Sequence, residues 1–438
     1  VVDTLAKTHA NAPQAADPPA ARPYNHTADF VRVALFTLVV ASHTHGTTPD
    51  VAGGTGLMAT VAHTTRYGFV AITVFVLFLG YSGRKVSPLA FWRRRFGQVV
   101  LPYLAWSVLY TVFLVWWDDS TPMPGPRDLA RDSAHSVLTG DGRYHLYFLL
   151  ISMQIYLLFP ALQWLITRTA GHHLELLVGA LAVQWAMFAF FDWPGAPELL
   201  GWGGYLHLWK TLPMYALFAV IGALLAVHFD RADAWIRANL PLLVGAAAVG
   251  CAYGIAGHLR DVAAEGIDPM RTSAAWNPQF LPLFVGTLTL IYLVGMAWND
   301  HRGDGTGPVA RVVSYGARRA FGVFAVHPMM IDVVYRVLPV DPLLDPVPPL
   351  RSTVLTVIVL AASLAVVEIA LRTPLSTVLV ARPRRPLWRR ERRGGPAASG
   401  AGTPGATVGT LGDPDSAGAG ANGPVVANPA AGKAATTE

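Results

Sequence analysis

The sequence is poor in charge and almost without cysteine. Only 14% of its 438 residues are Asp, Glu, Lys or Arg, against about 25% in a typical soluble domain. The single cysteine, Cys251, excludes an internal disulfide framework and any cysteine-ligated zinc site. No Gly-rich phosphate loop and no Gly-x-Ser-x-Gly elbow occurs, which removes the common nucleotide-hydrolase and serine-hydrolase signatures. No internal repeat of the kind that marks many transporters is evident. The net charge of +6 is no nucleic-acid signature, because the basic residues collect between apolar runs and just after the last one, as membrane topology requires.

What is present is apolar sequence, 53% of the chain, bunched into long runs. A bilayer crossing needs about 20 residues. Ten segments qualify as helices: 29–45, 66–83, 97–117, 145–166, 174–191, 207–228, 239–257, 278–297, 319–337 and 353–373. The expected fold is therefore an all-α polytopic membrane protein of about ten spans. Alternate connections are basic. One carries Arg84, Lys85, Arg93, Arg94 and Arg95, another Arg302, Arg311, Arg318 and Arg319, and the stretch after the last helix holds seven arginines between 382 and 393. The intervening connections are acidic, balanced or nearly uncharged. By the positive-inside rule both termini are expected in the cytoplasm.

Residues 1–27 lack periodicity and read as a disordered leader, and 379–438 as a basic stub with a low-complexity tail. The Arg cluster of the stub is expected on anionic lipid headgroups. The membrane domain spans 28–378. Any catalysis must then occur inside the helical bundle.

Polar residues within an apolar helix stand out, since an Arg at a span's centre costs ~2.5–3.5 kcal/mol on insertion scales. The first segment opens with Arg32 and closes with His43, with ten residues free of formal charge between them. Eleven helical steps amount to three turns plus roughly 20°, so the two share one face about 16 Å apart along the axis. Asp29, one turn before Arg32, is placed to pair with it. An imidazole titrates near neutrality and serves as a proton acceptor and donor. His327 lies mid-helix and precedes Pro328, which frees a backbone carbonyl. His145 begins another helix. Glu368 and Arg372 have the spacing of a helix ion pair. Trp116, Trp117, Trp202 and Trp209 read as the interfacial aromatic belt. His43, His45 and His63 lie toward one end, but no acid or cysteine completes a zinc spacing, so no metal is expected.

Asp29-x-x-Arg32 followed by His43 resembles the first helix of membrane acyltransferase family 3. Phe78-Leu79-Gly80-Tyr81 is similar to that family's F-x-S-G-aromatic turn, with Leu79 for Ser. Arg93-Arg94-Arg95 leading to Leu101-Pro102-Tyr103 resembles its basic-cluster-to-LPY segment. Tyr144-His145-Leu146-Tyr147-Phe148-Leu149, running on to Tyr156 and Pro160, resembles H-L-W-F-L…Y…P with Tyr147 for Trp, and Phe321 through His327-Pro328 resembles F-G-I-Y-L-L-H-P, preceded by Ala320 where Ser is usual. The resemblance spans residues 28–375. It implies an integral-membrane O-acyltransferase of the cell membrane, using acyl-CoA, and often acetyl-CoA, as co-substrate. The acceptor would be a hydroxyl of a glycan, a lipid-linked sugar or a secondary metabolite. It marks Arg32 and His43 as essential.

On that basis His43 is expected to be the base, with His145, His327 or a nearby donor stabilising the oxyanion. Phosphate recognition is expected from Arg95 and Arg319, with Arg84 and Lys85 on the same cytoplasmic side. The alternative class is a polytopic transporter or flippase, which broken helices in corresponding halves would favour.

Overall fold

A computed structural model describes residues 24–46, 54–81, 87–118, 122–265, 273–338 and 348–385. Arg84, Lys85 and most of the expected leader and tail lie outside these residues. Among the described residues the regular structure is helical throughout.

The chain order is α1 (His26–Gly46), α2 (Gly54–Ala62), α3 (Thr64–Gly80), α4 (Pro88–Trp117), α5 (Pro126–Thr139), α6 (Tyr147–Arg168), α7 (His173–Asp192) and α8 (Ala196–Leu208). It continues with α9 (Ala216–Val227), α10 (Phe229–Ala238), α11 (Leu240–Glu265), α12 (Leu281–His301), α13 (Pro308–Val337), α14 (Pro348–Ala370) and α15 (Ser376–Val380). Local chemistry sets several boundaries. Prolines open α4, α5 and α13, where the ring presets φ and the missing N–H is not needed. Gly140 ends α5 in the left-handed region, at φ 78°, a conformation glycine adopts without strain.

Each of the ten apolar segments overlaps a helix; the sixth, 207–228, takes in the end of α8, a break and α9. Eight helical runs are long and apolar enough to cross a membrane among the described residues. A ninth is reached if α8 and the Leu212–Val227 stretch, bent by 57°, form one broken span. The eight or nine candidate spans agree with the expected all-α polytopic fold of about ten. The difference is α1, whose acid, arginine and histidines dilute its apolar character. It packs against α13, α12, α14, α3 and α2, and Leu35 and Val40 are buried. It also begins at His26, inside the stretch read as leader.

Small residues let the helices approach. A Cβ at Gly222 of α9 would collide with the Ala71 carbonyl of α3. One at Gly286 of α12 would lie 2.6 Å from the Ala247 carbonyl oxygen of α11. Such contacts replace the hydrophobic drive that lipid removes. α7 and α11 turn Leu174, Val178, Trp185, Leu242, Val249 and Tyr253 outward. Those faces suit acyl chains.

Candidate active site

The polar residues converge at the His43 end of α1. His43 lines a cavity of about 350 Å³ together with Ser42, His63, Arg66, Arg143, Tyr144, His145 and Asp332. Its walls come from α1, the α2–α3 junction, the segment before α6, and α13. The volume is at the small end of ligand pockets, which run about 300–1,000 Å³.

His327 lies directly behind this wall. Its ring stacks on His43 with centroids 5.5 Å apart and an interplanar angle of 21°. His145 meets it edge-on at 5.3 Å. Tyr144 closes on His43 at 4.5 Å. Three histidines far apart in the chain are therefore one cluster.

The local cause is a disturbed turn in α13. Pro328 has no N–H to give the carbonyl of Phe324, four residues earlier. His327 supplies the replacement, with Nδ1 donating to Phe324 O at 2.8 Å. A carbonyl only accepts, so Nδ1 carries the hydrogen, and the neutral ring keeps its lone pair on Nε2. That Nε2 is buried without a hydrogen-bond partner among the described residues. Tyr110 of α4 inserts into the next gap, donating from its hydroxyl to Ala325 O at 2.8 Å and accepting from Met329 N at 3.3 Å. The helix thus stays satisfied while one imidazole is held in a fixed tautomer.

A second device holds the segment before α6. Arg143 Nη2 reaches both carboxylate oxygens of Asp332, at 2.8 and 2.7 Å. The pair ties residues 143–145 to α13, so Tyr144 and His145 arrive against His43 and His327. Close by, Lys210 donates to the Thr139 carbonyl at 2.8 Å and to the Asp141 carboxylate at 2.5 Å. Burial alone would raise the Asp141 carboxyl, but the hydrogen bonds from Lys210 and Thr139 hold it below its ordinary value.

A family model described as an acyltransferase domain matches residues 25–368 of this chain. The chain belongs to membrane acyltransferase family 3. No curated protein and no solved structure matches it.

In this acyltransferase the residues singled out from sequence divide into two regions. His43, His145 and His327 meet at the cavity. Arg32 sits toward the other end of α1, paired with Asp29 at 3.1 Å. Arg95 shares that region, since both arginines act electrostatically on the buried Tyr156. Arg95 is only 4% exposed. Its Nε and Nη1 have no hydrogen-bond partner among the described residues, although the rings of Tyr81 and Phe91 lie 5.7 and 6.0 Å from the guanidinium. Arg319 is different. It is ion-paired to Glu368 and lies 3.5 Å over the Tyr315 ring. Glu368 also holds Arg372 at 2.9 Å, the expected helix pair.

Some of the acyltransferase's cavity residues have no motif to announce them. Arg66 begins an apolar run and reads there as a boundary charge. The Arg143–Asp332 pair spans 189 residues. Trp209 is not a belt residue: its ring packs on Tyr147 at 4.3 Å and on Trp276 at 5.1 Å. Trp116 and Trp202 do face outward. Among the described residues no group of three His, Cys, Asp or Glu is arranged to hold a metal ion.

Proposed function

We propose that this acyltransferase moves an acyl group, typically acetyl, from acyl-CoA to a hydroxyl of an acceptor bound in the His43 cavity. The acceptor is a glycan, a lipid-linked sugar or a metabolite. The observation that carries the reading is the convergence of His43, His145 and His327 at one cavity wall.

In this reading His43 is the base, because it lines the cavity while His327 stands behind it. The acceptor hydroxyl gives its proton to the imidazole as its oxygen attacks the thioester carbonyl. The tetrahedral intermediate collapses, the C–S bond breaks, and the imidazolium returns the proton to the departing CoA thiolate. Such a base is worth ~10²–10⁴-fold in rate. In the same reading His145 donates a hydrogen bond to the oxyanion, and His327 orients His43 by stacking.

The phosphates of CoA belong at the Arg32 end. Arg95 is the better of the two arginines singled out for them, as its buried guanidinium has open donors and Arg319 already holds Glu368. Arg84 and Lys85 are assigned to the same end from the sequence alone. The positive-inside pattern supports a cytoplasmic location for that end in a cell membrane, where acyl-CoA is available. The donor's arm then runs along α1 past Arg32 toward His43, a rise of about 16 Å.

The test is label transfer from radiolabelled acetyl-CoA to hydroxylated acceptors by the full-length protein in lipid. His43→Ala is expected to lose at least about a hundredfold in turnover, and Arg95→Gln to raise the donor KM with little change in kcat. Equal transfer without the imidazole would remove His43 from the base role.

A further inference from the structure

The acyl-transfer chemistry leaves one cavity cation unused. Arg66 stands in the first turn of α3 and lines the cavity. Its guanidinium is surrounded by three aromatic rings: Tyr147 at 5.8 Å, Trp209 at 5.9 Å and Trp276 at 5.1 Å. Ring faces attract a cation, but they accept no in-plane N–H. Arg66 has no hydrogen-bond or ion-pair partner among the described residues, and its Nη1 is out of contact with solvent. His63, three residues before Arg66, donates from Nε2 to the Ser273 carbonyl at 2.7 Å.

The other arginine of the cavity is neutralised by Asp332, and the described lining contains no further acid. Among the described residues the cavity therefore carries one uncompensated positive charge. Burying such an ion costs several kcal/mol unless a partner arrives, and an ionisable residue at membrane depth marks a ligand path by default. The missing partner is a group with in-plane or tetrahedral oxygens, which a guanidinium matches better than an ammonium does.

We propose that Arg66 binds a carboxylate or phosphate carried by the acceptor, so that the preferred acceptors are anionic hydroxyl compounds. The acceptor's role rests on the acyl-transfer reading; the anion's affinity for the cavity does not. The donor's own phosphates are placed at the opposite end of α1 and do not compete for this residue.

Equilibrium binding of radiolabelled glucose, glucuronate and glucose 6-phosphate to the full-length protein in lipid tests the idea. One or both anionic sugars should bind about tenfold or more tighter than glucose, as charge-assisted bonds in a dry site require. Glucuronate and glucose 6-phosphate, run as separate arms, tell carboxylate from phosphate. Arg66→Gln should erase the preference and Arg66→Lys should keep part of it. Glucose binding as tightly as both anions overturns the proposal, as does no binding of any of the three to wild type. The wild-type comparison decides this even if Arg66→Gln does not fold. A preference that persists in a folded Arg66→Gln protein also overturns it. If wild type binds the anions yet transfers no label, the anion site stands and acyl transfer fails.

Discussion

His327 and Phe324 are joined by a bond that exists because of Pro328. The imidazole Nδ1 donates at 2.8 Å to the carbonyl that the proline leaves without a backbone donor. Pro328→Ala restores an N–H that competes for the same carbonyl. Removing a helix-interior proline should raise the melting temperature, since such a proline costs about 3 kcal/mol or more. Turnover should fall by about tenfold at the same time, because the ring behind His43 loses its fixed tautomer. Stability and kcat moving in opposite directions is the signature to seek, by thermal melting and steady-state kinetics. An unchanged kcat would mean that the tautomer of His327 has no part in the reaction.

The Arg143–Asp332 pair should show coupling in a double-mutant cycle. Each partner's side chain is 19% exposed, so neither is freely solvated. Arg143→Gln and Asp332→Asn should each lower the melting temperature. The double variant should cost less than the sum, with a coupling of about 1–3 kcal/mol. Turnover should fall in both single variants, since Tyr144 and His145 follow Arg143 in the chain. Additive losses would reduce the pair to two energetically independent charges.

Asp141 gives a stability prediction with a definite sign. Its folded carboxyl titrates below the ordinary value, so its pairing with Lys210 contributes fully above the unfolded pKa, near 3.9. That contribution is lost as pH falls through the lower folded value. Wild type should therefore melt higher than Asp141→Asn near neutrality, and the gap should close as pH drops below about 4. Thermal melting of both proteins across pH reads this directly. A gap that widens in acid would reverse the assignment.

The helices of this protein were readable because each apolar run must satisfy its own backbone in lipid, which only a helix does. The shorter α2, α5 and α10 were not read from the sequence. The histidines stood out for the same reason, as polar side chains within apolar helices. Arg66 did not, because a charge at the first residue of a run looks like an ordinary boundary. Its meaning depends on Tyr147, Trp209 and Trp276, which reach it from three separate parts of the chain. Trp209 misled in the same way: the distance from a helix end predicts a belt, whereas packing turns the ring inward. Arg95 and Arg319 looked alike in sequence, and only the position of Glu368 separates them.

The central place of α1 bears on how the protein is made. A helix carrying Asp29, Arg32 and His43 is a poor passenger in lipid on its own. Its main neighbours are α12, α13 and α14, and Thr44 bonds Thr356 of α14 at 2.7 Å. These helices leave the ribosome more than two hundred residues after α1. α1 must therefore wait, held by the insertion machinery or at the interface, until α12, α13 and α14 arrive to enclose it. A chain that stops before Pro308 would lack Phe324, Ile331 and Asp332 from the cavity wall, and α1 would be left without its bed.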